Sequence, residues 1–154
     1  MEVPYQPRDL RTLALTSRVL QEAMRMYPPA PAVVRRVEHD TIVCGYRVPA
    51  GADLVVSIWA LHRDPAIWHD PTRFDPDRFL PSAVEQRDRW AYLPFGAGPR
   101  SCIGDHFALT EATIALVSLT RKLRIESMDD TFPMAVPFTL TAEGRVPARI
   151  TPRS

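Results

Sequence analysis

The sequence predicts an α+β chain built around a long irregular segment. Two stretches keep an apolar period of three to four residues, the mark of an amphipathic helix. Several runs of three to five residues are rich in β-branched side chains and bounded by Gly or Pro, which reads as short strands. Proline accounts for 16 of the 154 residues. That is about twice the usual share of roughly 5%, and proline is kept out of helix interiors and central strands.

In chain order, the first helix is predicted over residues 9–26. Leu10, Leu13, Leu20, Met24 and Tyr27 form one stripe, and Pro28-Pro29 stops it. Residues 33–37 read as a strand. Residues 41–43 are another, turning at Gly45 into Arg47-Val48-Pro49, and 54–58 is a β-branched run after Gly51. Residues 62–94 have little periodicity and much proline, so they are expected to be extended coil. A coil of roughly 30 residues in a compact domain usually lies over a cofactor or more protein. The second helix is predicted over 104–123, with Phe107, Ala108, Ala112, Ala115, Leu116, Leu119 and Leu123 in helical period. Asp105 at its start and Arg121 and Lys122 at its end suit the helix dipole. The chain is expected to close with a hairpin of 138–141 and 146–150, turning at Glu143-Gly144.

Composition narrows the function classes. The formal net charge is +1 and charged residues are 24%, so the chain has no bulk attraction to nucleic acid or anionic membrane. No apolar run reaches the length of a membrane span, and the first ten residues lack the pattern of a secretion signal. Two cysteines, Cys44 and Cys102, do not make a disulfide scaffold and favour a reducing compartment. Arginine outnumbers lysine 18 to 1. This fits a GC-rich bacterial gene, and also sites where guanidinium binds carboxylate in bidentate fashion.

The chemistry-bearing residues begin with Phe95-Gly96-Ala97-Gly98-Pro99-Arg100-Ser101-Cys102-Ile103-Gly104. As a phosphate loop it fails, lacking a GK[ST] ending. Its distinctive feature is a cysteine at the mouth of a helix, with an arginine two residues before it. A helix N-terminus favours thiolate, and glycines let backbone approach a flat or bulky ligand. The loop therefore reads as a thiolate metal-ligand loop beside a carboxylate-binding arginine, against the plainer alternative of a buried cysteine starting a helix. Zinc is disfavoured because Cys44, Cys102 and the histidines show no paired ligand spacing. Glu22 and Arg25, three apart, share a helix face, an arrangement that alone is a common surface pair. Arg78 stands between aromatics in Phe74-Asp75-Pro76-Asp77-Arg78-Phe79.

Taken together and in this order, these segments resemble the C-terminal part of the cytochrome P450 family. The helix-K motif is Glu22-Ala23-Met24-Arg25, followed by Met26-Tyr27-Pro28-Pro29-Ala30-Pro31. Next come Gly45-Tyr46-Arg47-Val48-Pro49-Ala50-Gly51, then His62-Arg63-Asp64-Pro65 with Trp68, then Pro76-Asp77-Arg78-Phe79, and last the loop ending in Cys102. Position 77 is Asp where the family often has Glu. The resemblance covers essentially the whole chain, residues 1–154. It implies an α+β, C-terminal fragment of the mainly helical P450 fold, with small β-sheets and a long irregular meander.

The resemblance also implies roles. Cys102 would be the thiolate ligand of haem b iron, the ligand that pushes electron density toward O–O cleavage. Phe95, Gly96 and Gly104 would pack against the cofactor. Arg100 and Arg35 would pair with its propionates, with Arg36 as the fallback for Arg35. Glu22, Arg25 and Arg78 would form a buried structural triad. Ala30, Ala32, Val33, Val34, Pro137 and Phe138 would line the substrate pocket. The implied activity is insertion of one oxygen atom of O₂ into a small apolar organic substrate. Electrons would come from NAD(P)H through a ferredoxin, flavodoxin or reductase. The helices ahead of helix K, including the distal helix with the acid–alcohol pair that delivers protons, have no match in these residues. A non-catalytic remnant that holds haem weakly or not at all is therefore a second expectation, and a protein whose cysteine loop packs without haem a third. The arginine bias points to the bacterial cytoplasm, with a lost N-terminal membrane anchor left open.

Overall fold

The computed structural model describes residues 13–129, 131–137 and 139–153. Helix α1 spans Ala14–Met26. It ends where Tyr27 leaves helical geometry and donates its N–H to the Ala23 carbonyl at 2.7 Å. Pro28-Pro29 offers no N–H to extend the ladder. The predicted stripe residue Leu10 lies outside the described residues.

Strands β1 (Ala32–Arg36) and β4 (Asp53–Ser57) pair antiparallel, with Val34 opposite Val55 and Arg36 opposite Asp53. Between them β2 (Thr41–Val43) and β3 (Tyr46–Val48) make a separate hairpin. Its two-residue turn, Cys44-Gly45, has positive φ at both positions, 50° and 84°, as a hairpin turn of the primed type requires. The predicted strand over 54–58 stops one residue early. Ile58, almost fully buried, opens the short helix α2 (Ile58–Leu61), capped by the Ser57 hydroxyl.

The proline-rich stretch is less formless than predicted. Asp75 caps a 3-10 turn over Pro76–Phe79, α3 covers Pro81–Gln86, and Asp88 caps a second 3-10 turn over Arg89–Ala91. Proline begins two of these turns, at the one place in a helix where its missing N–H costs nothing. The small core lies here. Trp68, Phe79 and Ala91 are buried together, with Tyr92 packed on them.

Helix α4 spans Asp105–Lys122 and runs straight into β5, Leu123–Ser127. Its most buried side chains are Thr113 and Val117; Phe107 and Leu119 of the predicted stripe are exposed. The predicted closing hairpin does not form. β8 (Ala148–Pro152) pairs with β5, and β6 (Met134–Ala135) pairs with β7 (Thr141–Ala142). A strand entering directly from a helix offers a full unpaired edge, whereas the segment around Pro137 can offer only a two-residue ladder. Among the described residues the strands thus form four two-stranded antiparallel sheets.

Candidate functional site

Cys102 sits in the loop between a 3-10 turn at Gly98–Arg100 and the first residue of α4. Gly96 and Gly98 have φ of +72° and +73°, values that cost an L-residue roughly 1–2 kcal/mol, so the glycines are demanded by the turn itself. The Cys102 N–H donates to the Phe95 carbonyl at 2.9 Å and closes the loop. The Cys102 thiol is free and exposed. Gly104 has an ordinary φ of −97°; a Cβ there would lie 3.9 Å from Cys102 Sγ, so its bareness keeps the approach to the sulfur open. Arg100 is exposed and makes no hydrogen bond or ion pair with another described residue. Phe95 is half-buried, and with Leu20, Ala23 and Met24 of α1 and Ala108 and Ala112 of α4 it lines an apolar cleft of about 340 Å³.

Among the described residues no three His, Cys, Asp or Glu side chains converge to hold a metal. An iron at Cys102 would have to arrive with its other ligands already supplied. The loop thus presents an exposed thiol with a glycine beside it and an Arg100 guanidinium that engages no other described residue, and Phe95 at its start borders an apolar cleft.

Below the loop lies a buried charge cluster. Glu22 and Arg25 have fully buried side chains and make a bidentate pair, Nε to Oε2 at 2.7 Å and Nη2 to Oε1 at 2.8 Å. Arg25 spends its other donors on the carbonyls of His62 (2.7 Å), Pro71 (2.9 Å) and Arg73 (3.3 Å). Glu22 Oε1 also accepts the Asp75 N–H at 2.8 Å. Arg78 lies 3.4 Å from Glu22 through Nε, an ion contact whose geometry is not that of a hydrogen bond. Its firm bonds go to the carbonyls of His69 and Asp70, at 2.5 and 2.8 Å. The three residues are together: Arg25 and Arg78 donate to the meander's carbonyls, and Glu22 accepts from Arg25 and from the Asp75 N–H, so the meander is stapled to α1.

The pleat of β1 divides the other candidates. Val33 and Arg35 share one face; Ala32, Val34 and Arg36 share the other. Among the described residues Arg35 donates only to the neighbouring Val34 carbonyl, whereas Arg36 faces Asp53 across the sheet at 3.5 Å. Ala30 precedes the strand and is exposed. The Leu140 N–H donates to the Pro29 carbonyl at 2.8 Å, which brings the segment holding the exposed Pro137 beside Ala30. Phe138 lies outside the described residues.

Four functional side chains carry no role in the sequence reading. Arg63 stacks on Trp59 with its guanidinium 3.3 Å from the ring centre and donates to the Met26 carbonyl, capping α1. Arg87 lies over Trp68 and Phe79 at 4.5 and 4.8 Å. Tyr92 donates its hydroxyl to the Gln21 carbonyl at 2.9 Å, and burial raises its pKa. His62 is fully buried, and desolvation, assisted by the charges of Arg25 and Arg63, lowers its pKa from 6.5 to about 4. The run His62-Arg63-Asp64-Pro65 was visible in the sequence, but no spacing rule tells which way its side chains point.

A family model described as Cytochrome P450 matches residues 4–146. The chain is 44% identical over 123 residues to cyclooctatin synthase of Streptomyces melanosporofaciens, covering 80% of this chain and 27% of that protein. It is 42% identical over 138 residues to thromboxane-A synthase of Sus scrofa, covering 88% of this chain and 26% of that one. The crystal structure of the cytochrome P450DA heme domain superposes with a TM-score of 0.92 and 32% identity, over 99% of this chain and 34% of that domain. The chain thus spans about a quarter of the length of these curated relatives.

Proposed function

The chain belongs to the cytochrome P450 family, and from that membership we infer that it is the C-terminal haem-thiolate segment of a monooxygenase domain. The family consists of haem-binding oxidoreductases. For this chain the finer assignment is that Cys102 ligates the iron of haem b. The observation that carries it is the Phe95–Cys102 loop, closed by its own backbone bond, which leaves a free thiol facing out beside the bare Gly104.

The roles of the chain's residues follow from their chemistry. The fork of Arg100, which engages no other described residue, suits one propionate. Arg35, held only by its neighbour's carbonyl, suits the second better than Arg36, which is committed to Asp53. Phe95, half-buried at the start of the loop, would pack against the ring, and Gly96 and Gly104 would let it approach. Glu22, Arg25 and Arg78 hold the meander that buttresses the loop. Val33 lies on the Arg35 face, so it is placed to meet a substrate above the ring; Ala30 and Pro137 extend that wall. When bound, the haem supplies dioxygen activation, tuned by electron donation from the thiolate. The partners proposed are a small apolar substrate and a ferredoxin, flavodoxin or reductase docking on the thiolate side.

A second reading, weak haem binding without turnover by these residues alone, is favoured by the full exposure of Ile103 and the 74% exposure of Phe107. Such side chains beside a cofactor loop are expected to be covered in a working domain.

One experiment addresses both. Haem is titrated into the chain, and absorption is recorded after reduction under carbon monoxide, for the native chain, Cys102→Ala and Cys44→Ala. A thiolate-type band is expected in the native chain and Cys44→Ala and not in Cys102→Ala. The same band persisting in Cys102→Ala refutes the assignment, and no band in any of them supports the remnant reading.

A further inference from the structure

His62 has no part in the haem-thiolate reading, yet it is wholly buried. Its backbone belongs to the Arg25 network, since its carbonyl accepts from Arg25 Nη1 at 2.7 Å. Its ring stacks on Tyr92 at 5.2 Å and meets Trp68 edge-on at 6.4 Å. A phenyl ring would fill that place without burying any polar atom. What imidazole adds is an acceptor. Nε2 accepts the Leu93 N–H at 2.9 Å. Leu93 in turn gives its carbonyl to the Gly96 N–H at 3.0 Å, forming the first turn of the cysteine loop, and Phe95 between them accepts the Cys102 N–H at 2.9 Å. Three successive bonds therefore run from the imidazole to the residue bearing the thiol.

Since Nε2 accepts, the proton of the neutral ring is on Nδ1. Nδ1 points toward the Met24 and Arg25 carbonyls at the end of α1 but makes no well-formed hydrogen bond there. The fold tolerates an under-satisfied buried donor at this site, a cost that burial of a purely packing side chain would avoid.

Building on the haem-thiolate reading, we propose that His62 is a positioning residue of the thiolate loop: by accepting the Leu93 N–H it fixes the strand of backbone from which Cys102 is presented. Protonation would turn Nε2 into a donor facing another donor. It would also place a third positive charge beside Arg25 and Arg63, with Glu22 already committed to Arg25 and with Arg87 over the same Tyr92 ring that stacks on the imidazole. The lock therefore opens in acid, and the depressed pKa keeps it shut through the neutral range.

The test compares the native chain, His62→Phe and His62→Gln. Phe keeps the ring stack without the acceptor; Gln places an amide oxygen near Nε2 and does not titrate. The first readout is amide hydrogen exchange at Leu93 and Gly96 in the haem-free chain. Protection is expected to fall about tenfold or more in His62→Phe, the scale of one lost buried hydrogen bond, and to be largely restored in His62→Gln. The second is the acid profile of the thiolate-type carbon monoxide band after haem loading, whose midpoint is expected to move down by about one pH unit in His62→Gln. Native-like Leu93 protection in His62→Phe overturns the proposal, as does an unchanged acid profile in His62→Gln. Should haem fail to load into any form, the haem-thiolate reading fails while the exchange data still decide the lock. If His62→Phe does not fold, unprotected Leu93 in a folded His62→Gln likewise refutes it.

Discussion

At the scale of single residues, the most buried groups of α1 are two of its three charged residues, Glu22 and Arg25, both at 0% exposure. An exposed pair at this spacing is worth a few tenths of a kcal/mol. Among the described residues Glu22 is the one anion paired with Arg25, Glu22 is paired with Arg25 and Arg78, and Arg25 also satisfies three carbonyls of the meander. Removing one member leaves a buried charge uncompensated, at a cost of about 3–5 kcal/mol. Glu22→Ala and Arg25→Ala are each expected to lose that much in urea unfolding. The double variant is expected to lose clearly less than the sum, because the second substitution removes the charge that the first stranded. Arg78 is the least buried member, at 12%, and serves two carbonyls more than it serves Glu22. Arg78→Ala should therefore cost less, about 1–3 kcal/mol, the penalty for unsatisfied acceptors. Additive losses in the double variant would break the account of Glu22 and Arg25 as one unit.

At the scale of elements, the glycines of the cysteine loop separate into two kinds. Gly98 has positive φ with open space around it, so Gly98→Ala should destabilise the haem-free chain by about 1–2 kcal/mol. Gly104 has ordinary φ and only the Cys102 sulfur within van der Waals reach. Gly104→Ala should leave haem-free stability within about 1 kcal/mol, since only an N-cap preference is lost. Its cost falls on the ligand: haem uptake should drop while the melting curve of the apo chain hardly moves. Equal haem uptake by Gly104→Ala and the native chain would show that no ring packs there.

At the scale of the whole molecule, stability and charge are coupled through His62. Its unfolded imidazole titrates near 6.5 and its folded one near 4. Between those values the unfolded chain binds more protons, so stability rises with pH. The contribution is complete above 6.5, erodes as pH falls, and is lost near 4, for a total of about 3 kcal/mol. Asp40, its carboxyl lowered by the Ala50 N–H and by Arg47, adds a loss of the same sign at still lower pH. Urea midpoints measured from pH 7.5 to 4 should fall through this window, and the slope should shrink in His62→Gln. A flat profile in the native chain would mean that the imidazole is not held neutral.

The family and the cysteine loop were legible from residue order because their cause is local. Gly98 stands where a positive φ favours glycine, Pro28 ends a helix wherever it falls, and Cys102 follows a turn that its own loop closes. The partners of charged groups were not legible. By spacing alone Glu22 and Arg25 read as a surface pair; the family resemblance implied a buried triad with Arg78, but the carbonyls that Arg25 serves, 37 to 48 residues away, are set by where the meander lies against α1. Likewise β8 pairs with β5 rather than with the segment before the 143–144 turn, because a free strand edge is a property of the folded neighbour. His62 is the extreme case. Whether an imidazole sits in water or accepts the Leu93 N–H depends on where the meander returns, which is set by the packing of Trp68, Phe79 and Tyr92 and by no pattern in the neighbouring residues.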